Sequence, residues 1–505
     1  MKKIPTLFIL VLILLLSAGL LTTAVADSPK YKMTTEIPPG IATPDKLETR
    51  LGTLNSFDGV PDEETAQKVY DNLDFQRAVQ AYLSSIQIAS MNGMRKGILE
   101  YGPANTTVLI FEDLMDSKAL WLTPNTTSVY NTSWLNLKDG PMVIETPPNV
   151  LGIIDDSWFH YVADFGNAGP DKGKGGKYLI LPPDYDGEVP EGYHIARSET
   201  YGNWLIWRGF QVDGNTGPAV EATKQKFRIY PLSQADNPPE MNFINVSGKN
   251  FNTIHPMDYM FFEDVNEVVQ VEPSDGQDPE ILGLLASIGI KKGSPFEPDE
   301  RMKKILTEAA DVGAVTVRTL AARPRDDAFY YYPGEGVWVT PFIGGSYQFL
   351  DNGATLLDGR SFFHFYATGI TPAMTKAPVG AGSQYAVAYK DADGNPLDGA
   401  KTYKVNLPPD VPAKEFWSFV VYDNQTRAML QTDQQFPSVS SARDVEQNSD
   451  GSYDVYFGPV APEGKESNWI QTIPGKGWNM LFRLYGPLEP WFDKTWKPGD
   501  PELVK

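Results

Sequence analysis

The chain has 505 residues, with 43 lysines and arginines against 64 aspartates and glutamates, a net charge of −21 and no cysteine. This length is enough for about two to four domains, and the acidic excess argues against nucleic acid as a partner, because it would repel phosphate backbones. The missing cysteine excludes a disulfide framework, thiol catalysis and cysteine-ligated metal sites. The four histidines fall in no metal-binding spacing such as HExxH; they are His160, His194, His255 and His364.

The first 26 residues have the pattern of a secretory signal peptide. Lys2 and Lys3 precede an apolar run that extends to Leu21, and Ala24-Val25-Ala26 supplies the small residues of a cleavage site. We therefore expect an exported protein, periplasmic or extracellular, without a stable membrane span once the signal is cleaved. The alternative is an uncleaved membrane anchor, since the apolar run is long. A polar, proline-containing lead-in follows over residues 27–63.

The next region, residues 64–239, begins with a helical pattern and continues with strands. Phe75, Val79, Tyr82 and Ile86 recur at helical spacing. From about residue 104, eight short apolar runs are separated by proline, glycine, asparagine and aspartate, which is typical of an antiparallel sandwich. The sequence thus predicts a helix followed by a β-sandwich.

The remaining chain divides into a helical part and a second β part. Residues 240–335 contain three segments with apolar positions at i, i+3 and i+4 that follow proline or aspartate, which predicts a helical domain. Strand patterns return over residues 336–505 and predict a C-terminal β-sandwich. The fold class is therefore mainly β with a helical insert.

A pattern shared by the two β parts suggests that one sandwich duplicates the other. In each part a tryptophan is followed by valine four residues later and aspartate six residues later. The two sets are Trp158, Val162 and Asp164, and Trp417, Val421 and Asp423. The alternative is two sandwiches of different topology.

The stretch from residue 467 to residue 496 predicts a hairpin in the C-terminal sandwich. "NWIQTI" and "WNMLFRLYG" read as strands joined by the turn "PGKG". Their alternation places Arg483 on one face and the apolar positions Trp478, Met480, Phe482 and Leu484 on the other. A charge among apolar neighbours should have a carboxylate partner, such as Asp423 or Glu489.

Candidate functional residues come from carboxylates, arginines and tryptophans at the ends of strands. Asp164 and Asp423, with Arg427, could perform acid–base chemistry, or the two aspartates could cap turns. Arg483, Trp491 and Trp417 are candidates for ligand binding.

The loop "DADGNPLDG" carries the one cation-binding spacing that the sequence offers. Asp391 and Asp393 could bind calcium, but the remaining ligands of a calcium loop are missing and a tight β-turn explains the same residues. No other cofactor is evident.

The run "FWSFVVYDNQTRAMLQTDQQFPSVSS" and the following "NWIQTIPGKGWNMLFRLYGPLEPWFD" resemble the C-terminal part of a bacterial exported family built from paired domains of unknown function 1254 and 1214. The earlier "LTPNTTSVYNTSWLNLKDGPMVIETPP" is similar to its N-terminal part. The resemblance implies an immunoglobulin-like sandwich, a small helical domain and a jelly-roll-like C-terminal sandwich. It implies no settled activity, and Thr127 stands where many members have an aspartate.

Three hypotheses of function follow. The first is an exported protein that binds a small molecule or glycan in a cleft between domains, because its sandwiches are rich in tryptophan and tyrosine. The second is a hydrolase that uses carboxylates or calcium. The third is a structural or assembly protein of the envelope, which could form a homo-oligomer.

Overall fold

The computed structural model describes residues 31–375 and 378–504. The predicted signal peptide, residues 1–26, lies outside the described residues. The chain divides into two compact units, residues 1–70 and 71–505. None of the helices in the described ranges is both long enough and apolar enough to cross a bilayer.

The first unit contains a small antiparallel sheet within the predicted lead-in. Its strands are β1 Lys46–Thr49, β2 Gly52–Phe57 and β3 Val60–Pro61, in the order β1-β2-β3. Gly52 has φ of +88°, a conformation that glycine adopts without strain, at the turn between the first two strands. Helix α1, Glu63–Leu99, follows and includes the helix predicted from residues 75–86.

Two sheets of the second unit form the N-terminal sandwich. One has the order β14-β4-β6-β12-β8-β9 and the other the order β11-β10-β7-β13, and the two enclose one apolar core. The elements of this part are β4 Thr107–Ile110, β5 Ala119–Leu120, β6 Ser128–Asn136, β7 Met142–Glu145, β8 Val150–Asp156, β9 Tyr161–Gly166, β10 Lys177–Leu181, β11 His194–Arg197, β12 Gly202–Phe210, α2 Gly217–Lys226, β13 Arg228–Pro231, β14 Asn242–Asn245 and β15 Phe251–Asn252. The predicted sandwich is confirmed.

A helical part follows, and its elements extend to Thr375, beyond the residues 240–335 for which the sequence predicts a helical domain. Asp278 and Asp299 each precede a helix and accept a hydrogen bond from a backbone amide of its first turn, at 2.8 and 2.7 Å. The elements are α3 Met260–Val271, α4 Pro279–Ser287, α5 Glu300–Ala322, β16 Leu350–Asp351, β17 Ala354–Thr355, α6 Leu357–Tyr366 and α7 Pro372–Thr375. These helices share a large apolar core with α1 and with one face of the N-terminal sandwich.

The C-terminal sandwich consists of two four-stranded sheets. Their orders are β18-β24-β20-β21 and β23-β22-β19-β25, and their facing sides form a second core rich in aromatic rings. The elements are β18 Ser383–Ala388, β19 Tyr403–Leu407, β20 Ala413–Asp423, β21 Ser438–Ser440, β22 Tyr453–Gly458, β23 Trp469–Gln471, β24 Trp478–Pro487, α8 Glu489–Phe492 and β25 Glu502–Leu503. A mainly β fold with a helical insert is thus confirmed.

The predicted hairpin around "PGKG" is wrong. β23 pairs with β22 in one sheet, whereas β24 lies between β18 and β20 in the other. Ile470 and Trp478 reach the same core from opposite sheets, so the segment between them crosses the sandwich edge. The predicted alternation along β24 is nevertheless correct, because Trp478, Met480, Phe482 and Leu484 all lie in that core.

The repeated tryptophan pattern does not mark equivalent positions in the two sandwiches. Trp158 lies in the turn between β8 and β9, whereas Trp417 lies within β20. The two sandwiches also differ in the number of strands in their larger sheets. At this motif the structure therefore gives no support to a duplication.

Candidate functional site

A cleft of about 460 Å³ lies in the second unit, between the N-terminal sandwich and the helical part. Its walls come from the turn between β8 and β9, the segment between β11 and β12, the start of α4, residues 347–350 and helix α6. The charged and polar side chains among its lining are Gln87, Asp156, His160, Arg197, Glu199, Gln277, Asp278, Gln348, Arg360 and His364. Its aromatic side chains are Trp158, Phe159, Tyr161, Tyr347 and Phe349. Such a mixture suits a polar organic ligand.

Asp156 ends strand β8 and is fully buried. Its Oδ1 accepts hydrogen bonds from the backbone amides of Trp158 at 2.9 Å and His160 at 2.8 Å, which shape the β8–β9 turn. Its Oδ2 has no hydrogen-bond partner among the described residues. Burial raises the pKa of Asp156 to about 7, against the opposing charge of His160.

His160 and Glu199 complete a group of three ionisable side chains. His160 Nδ1 lies 3.1 Å from Glu199 Oε2 and 4.0 Å from Asp156 Oδ2. The hydrogen bond from His160 lowers the pKa of Glu199. Burial opposes protonation of His160, but its two carboxylate neighbours outweigh burial and raise its pKa. Two carboxyl groups with pKa values moved in opposite directions can serve as an acid and a base.

The same three side chains lie close enough together that they could hold a metal ion. One ligand atom from each of Asp156, His160 and Glu199 lies within 4.8 Å of the others. One imidazole and two carboxylates suit zinc or manganese better than calcium, which prefers oxygen ligands alone. The orphaned Oδ2 of Asp156 fits this arrangement, because a cation would satisfy it.

This group of three side chains could not be predicted from sequence spacing. Asp156 and His160 are four residues apart, but on a turn, so the spacing has no helical face to suggest a shared site. Glu199 comes from a distant loop. Only the packing of that loop beside the β8–β9 turn brings the three together.

Asp164 lies on β9 beside the cleft but caps no turn. Its carboxylate accepts hydrogen bonds from Thr371 Oγ1, at 2.7 and 2.9 Å, and from the hydroxyl of Tyr161 at 3.2 Å. Burial raises its pKa. Nearby, Asp155 Oδ2 accepts from the amide of Ile370 at 2.9 Å. These two aspartates attach residues 370–371 to the sandwich.

Asp423 and Arg427 lie in a different hydrogen-bond network. Asp423 Oδ1 accepts from the amides of Gln425 at 2.6 Å and Thr426 at 3.0 Å, and the carboxylate also pairs with Lys476. This is the turn cap considered for Asp423. Arg427 is fully buried with φ of +65°, and its guanidinium lies 3.9 Å from the Phe365 ring. Neither residue is among those that line the cleft.

The predicted carboxylate partner of Arg483 is wrong. Arg483 Nη2 donates to the carbonyls of Thr123 at 2.7 Å and Pro124 at 3.2 Å, and no described acidic residue pairs with it. Backbone carbonyls replace the expected carboxylate because this face of β24 packs on the loop before β6. Trp417 and Trp491 are both buried in the C-terminal core.

Asp391 and Asp393 occupy a turn. Asp391 Oδ1 accepts from the amides of Asp393 at 3.1 Å and Asn395 at 2.8 Å. The amide of Gly394 donates to the Asp391 carbonyl at 2.9 Å, which closes the turn. Backbone amides thus occupy the carboxylate that the calcium hypothesis needs.

Comparison with known proteins identifies two family matches. Residues 105–231 match the family "Protein of unknown function (DUF1254)", and residues 382–489 match the family "Protein of unknown function (DUF1214)". No curated protein sequence matches the chain.

A solved structure shows a similar fold, and a second one was matched with a lower score. The crystal structure of the VPA0106 protein from Vibrio parahaemolyticus has a TM-score of 0.53 at 19% identity, over 86% of this chain and 100% of that one. An uncharacterized protein from Burkholderia cenocepacia has a TM-score of 0.38 at 11% identity, over 86% of this chain and 96% of that one. The N-terminal sandwich thus matches DUF1254 and the C-terminal sandwich matches DUF1214, which is the pairing that the sequence resemblance predicts.

Proposed function

We propose that the protein binds a small polyhydroxylated molecule, such as a sugar, in the cleft. The observation that carries the proposal is the combination of aromatic rings with ionisable groups of both signs around one cavity. Sugars present apolar C–H faces to aromatic rings and hydroxyl groups to planar polar side chains, so they use both kinds of lining. The predicted signal peptide supports a place outside the cytoplasm, which remains part of the proposal.

The cleft offers both aromatic rings and polar atoms without partners. Tyr161 and Tyr347 are partly exposed, and their rings meet edge to face with centroids 5.8 Å apart. Gln277 Nε2 and Arg360 Nε are buried without partners among the described residues. Ordered water or a ligand hydroxyl group would satisfy such atoms.

Replacing Tyr347 by alanine tests this proposal. A panel of neutral sugars (glucose, N-acetylglucosamine and maltotriose) is screened by melting temperature and then by calorimetric titration. We expect a saturable rise in melting temperature for at least one sugar and, in Tyr347→Ala, about a fivefold loss of affinity, because a ring contact is worth about 1 kcal/mol.

Tyr456→Ala is the matched control, since Tyr456 is a partly exposed tyrosine on β22 that does not line the cleft. It should keep the affinity of the natural chain. The proposal fails if no sugar shifts the melting temperature, or if the two variants lose affinity equally.

A second candidate function is hydrolysis in the same cleft. The observation that favours it is the carboxyl pair: Asp156, with a pKa of about 7, can donate a proton, and Glu199, with a lowered pKa, can accept one. His160 lies between them and can transfer or stabilise charge. Water activated by a bound cation would fit the same group.

Asp156→Asn tests this second function. Asparagine keeps an oxygen for the amides of Trp158 and His160, but it cannot supply a proton, so we expect about a hundredfold or greater loss of kcat in a glycosidase and esterase screen. Glu199→Gln should lose kcat in the same way. Glu145→Gln should keep it, because Glu145 does not line the cleft. Full turnover in both cleft variants, or none in the natural protein, would rule the function out.

A further inference from the structure

A second polar cluster shares no residue with the cleft and lies where the two sandwiches meet. On the N-terminal side, Arg208 of β12 is paired in register with Tyr130 of β6. On the C-terminal side, Arg483 of β24 is paired in register with Tyr385 of β18. We call this the arginine cluster; it consists of Arg208, Arg483, Tyr130, Tyr385, Tyr422 and Tyr485.

Arg483 is buried without a counter-charge. Only 3% of the residue is exposed, and its Nη1 has no partner among the described residues. Its guanidinium carbon lies 5.7 Å from the ring centres of both Tyr385 and Tyr422. Aromatic faces and backbone carbonyls carry only partial negative charge. They therefore compensate the positive charge of Arg483 only in part.

Arg208 adds a second positive charge to the same place. No hydrogen bond or ion pair connects its side chain to another described residue. Burial acts to lower the pKa of Arg208, but the hydroxyls of three neighbouring tyrosines outweigh it and the pKa is raised. The charge of Arg483 opposes that rise. One loop also connects the two strands, because Arg483 bonds the carbonyls of Thr123 and Pro124, and Gln211, three residues after Arg208, bonds that of Thr127. Both arginines stay charged at every physiological pH.

The loop between the two arginines is held rigidly. Asn125 Oδ1 accepts from the amides of Thr127 at 3.0 Å and Ser128 at 3.2 Å. The carbonyl of Pro124 accepts from Tyr422 as well as from Arg483, and that of Thr127 accepts from Gln211 at 2.8 Å. A site on such a loop is preorganised, which lowers the entropy cost of binding.

We propose that the arginine cluster binds one small oxyanion, a carboxylate or a phosphate group, between Arg208 and Arg483. Guanidinium groups bind oxyanions through paired N–H donors, and the free Nη1 of Arg483 offers such a donor. Arg208, Tyr385 and Tyr485 are partly exposed and leave a route for entry. The chain has 64 acidic and 43 basic residues. None of the acidic residues in the described part of the chain forms an ion pair with Arg208 or Arg483.

The experiment measures the melting temperature of the full chain in acetate and in inorganic phosphate, each against chloride at equal ionic strength. We expect a saturable rise with at least one of the two oxyanions. Arg208→Met should weaken that response at least tenfold in apparent Kd. Arg443→Met is the control, because Arg443 also contacts this loop, through the Thr126 carbonyl, and its loss changes the net charge equally.

Thr127→Asp should have the opposite consequence to Arg208→Met, because it supplies a negative charge to the cluster instead of removing a positive one. Thr127 Oγ1 lies 3.4 Å from the hydroxyl of Tyr485, so an aspartate there would place a carboxylate beside the cluster. We expect a higher melting temperature in chloride and no further rise with acetate or phosphate. The proposal is overturned if neither oxyanion exceeds chloride for the natural chain, or if Arg208→Met and Arg443→Met respond alike.

Discussion

The stability of the protein is expected to fall with acidification through His255, and His255→Asn should remove that part of the fall. His255 is 2% exposed; its Nδ1 donates to the Pro256 carbonyl at 2.7 Å, and its Nε2 has no partner in the described structure. Burial, aided by the charge of Arg427, lowers its pKa to about 3. The folded state therefore keeps this ring neutral.

The direction of this pH dependence follows from proton binding in the folded and unfolded states. Below pH 6.5 the unfolded chain binds a proton at His255 and the folded chain does not, so stability is complete above 6.5 and is lost as the pH falls towards 3. Each pH unit between 6.5 and about 3 lowers the free energy of unfolding by about 1.4 kcal/mol. The total loss is about 5 kcal/mol, of which about 3 kcal/mol falls between pH 6.5 and 4.5. His364, with a pKa of about 3, adds a similar effect.

The measurement is the free energy of unfolding in urea at pH 7.5 and pH 4.5. Buried carboxyl groups such as Asp156 act in the opposite sense, so the informative quantity is the difference between the natural chain and His255→Asn. We expect the variant to lose about 3 kcal/mol less on acidification. Parallel pH profiles for the two proteins would contradict the account of His255.

Gly97→Ala is expected to destabilise the protein by about 3 kcal/mol, because helix α1 packs directly on a backbone segment at this residue. A Cβ on Gly97 would lie 2.2 Å from the carbonyl oxygen of Asn252. One helical turn earlier, a Cβ on Gly93 would lie 2.6 Å from the carbonyl oxygen of Thr253. A backbone oxygen cannot turn aside as a side chain can, so the helix or the segment must move.

Gly283→Ala is the matched control within a helix. Gly283 lies in α4, and a Cβ there would meet nothing within 4 Å. It should therefore stabilise the protein by up to about 1 kcal/mol, the usual advantage of alanine over glycine in a helix. The measurement is the midpoint of urea unfolding for the two variants. Equal stability would show that α1 does not approach the backbone of Asn252 and Thr253 closely.

Periodicity in the sequence was enough to predict the fold class, although not the strands β1–β3 within the lead-in or helix α6. Alternation along β24 correctly separated the apolar face from the face with Arg483, and the capping aspartates marked the starts of α4 and α5. These features depend on neighbours in sequence. The hairpin prediction failed because alternation does not reveal which sheet a strand joins, and both sheets share one core.

The candidate site depended on contacts that the sequence does not show. His160 and Glu199 meet only through the packing of a loop against the β8–β9 turn. The partner of Arg483 was missed for a related reason: a backbone carbonyl is present at every residue and leaves no mark in the sequence. Burial of Asp156, which raises its pKa, is likewise a product of the assembled cleft.

Hydrogen exchange tests most directly whether the cleft is the binding site. Backbone amide exchange is compared with and without a saturating amount of the sugar that raises the melting temperature most. We predict slower exchange at residues 156–162 and 347–350, the two walls of the cleft, and a higher sugar concentration needed for the same change in Tyr347→Ala. Slower exchange confined to segments outside the cleft lining would contradict the proposed site.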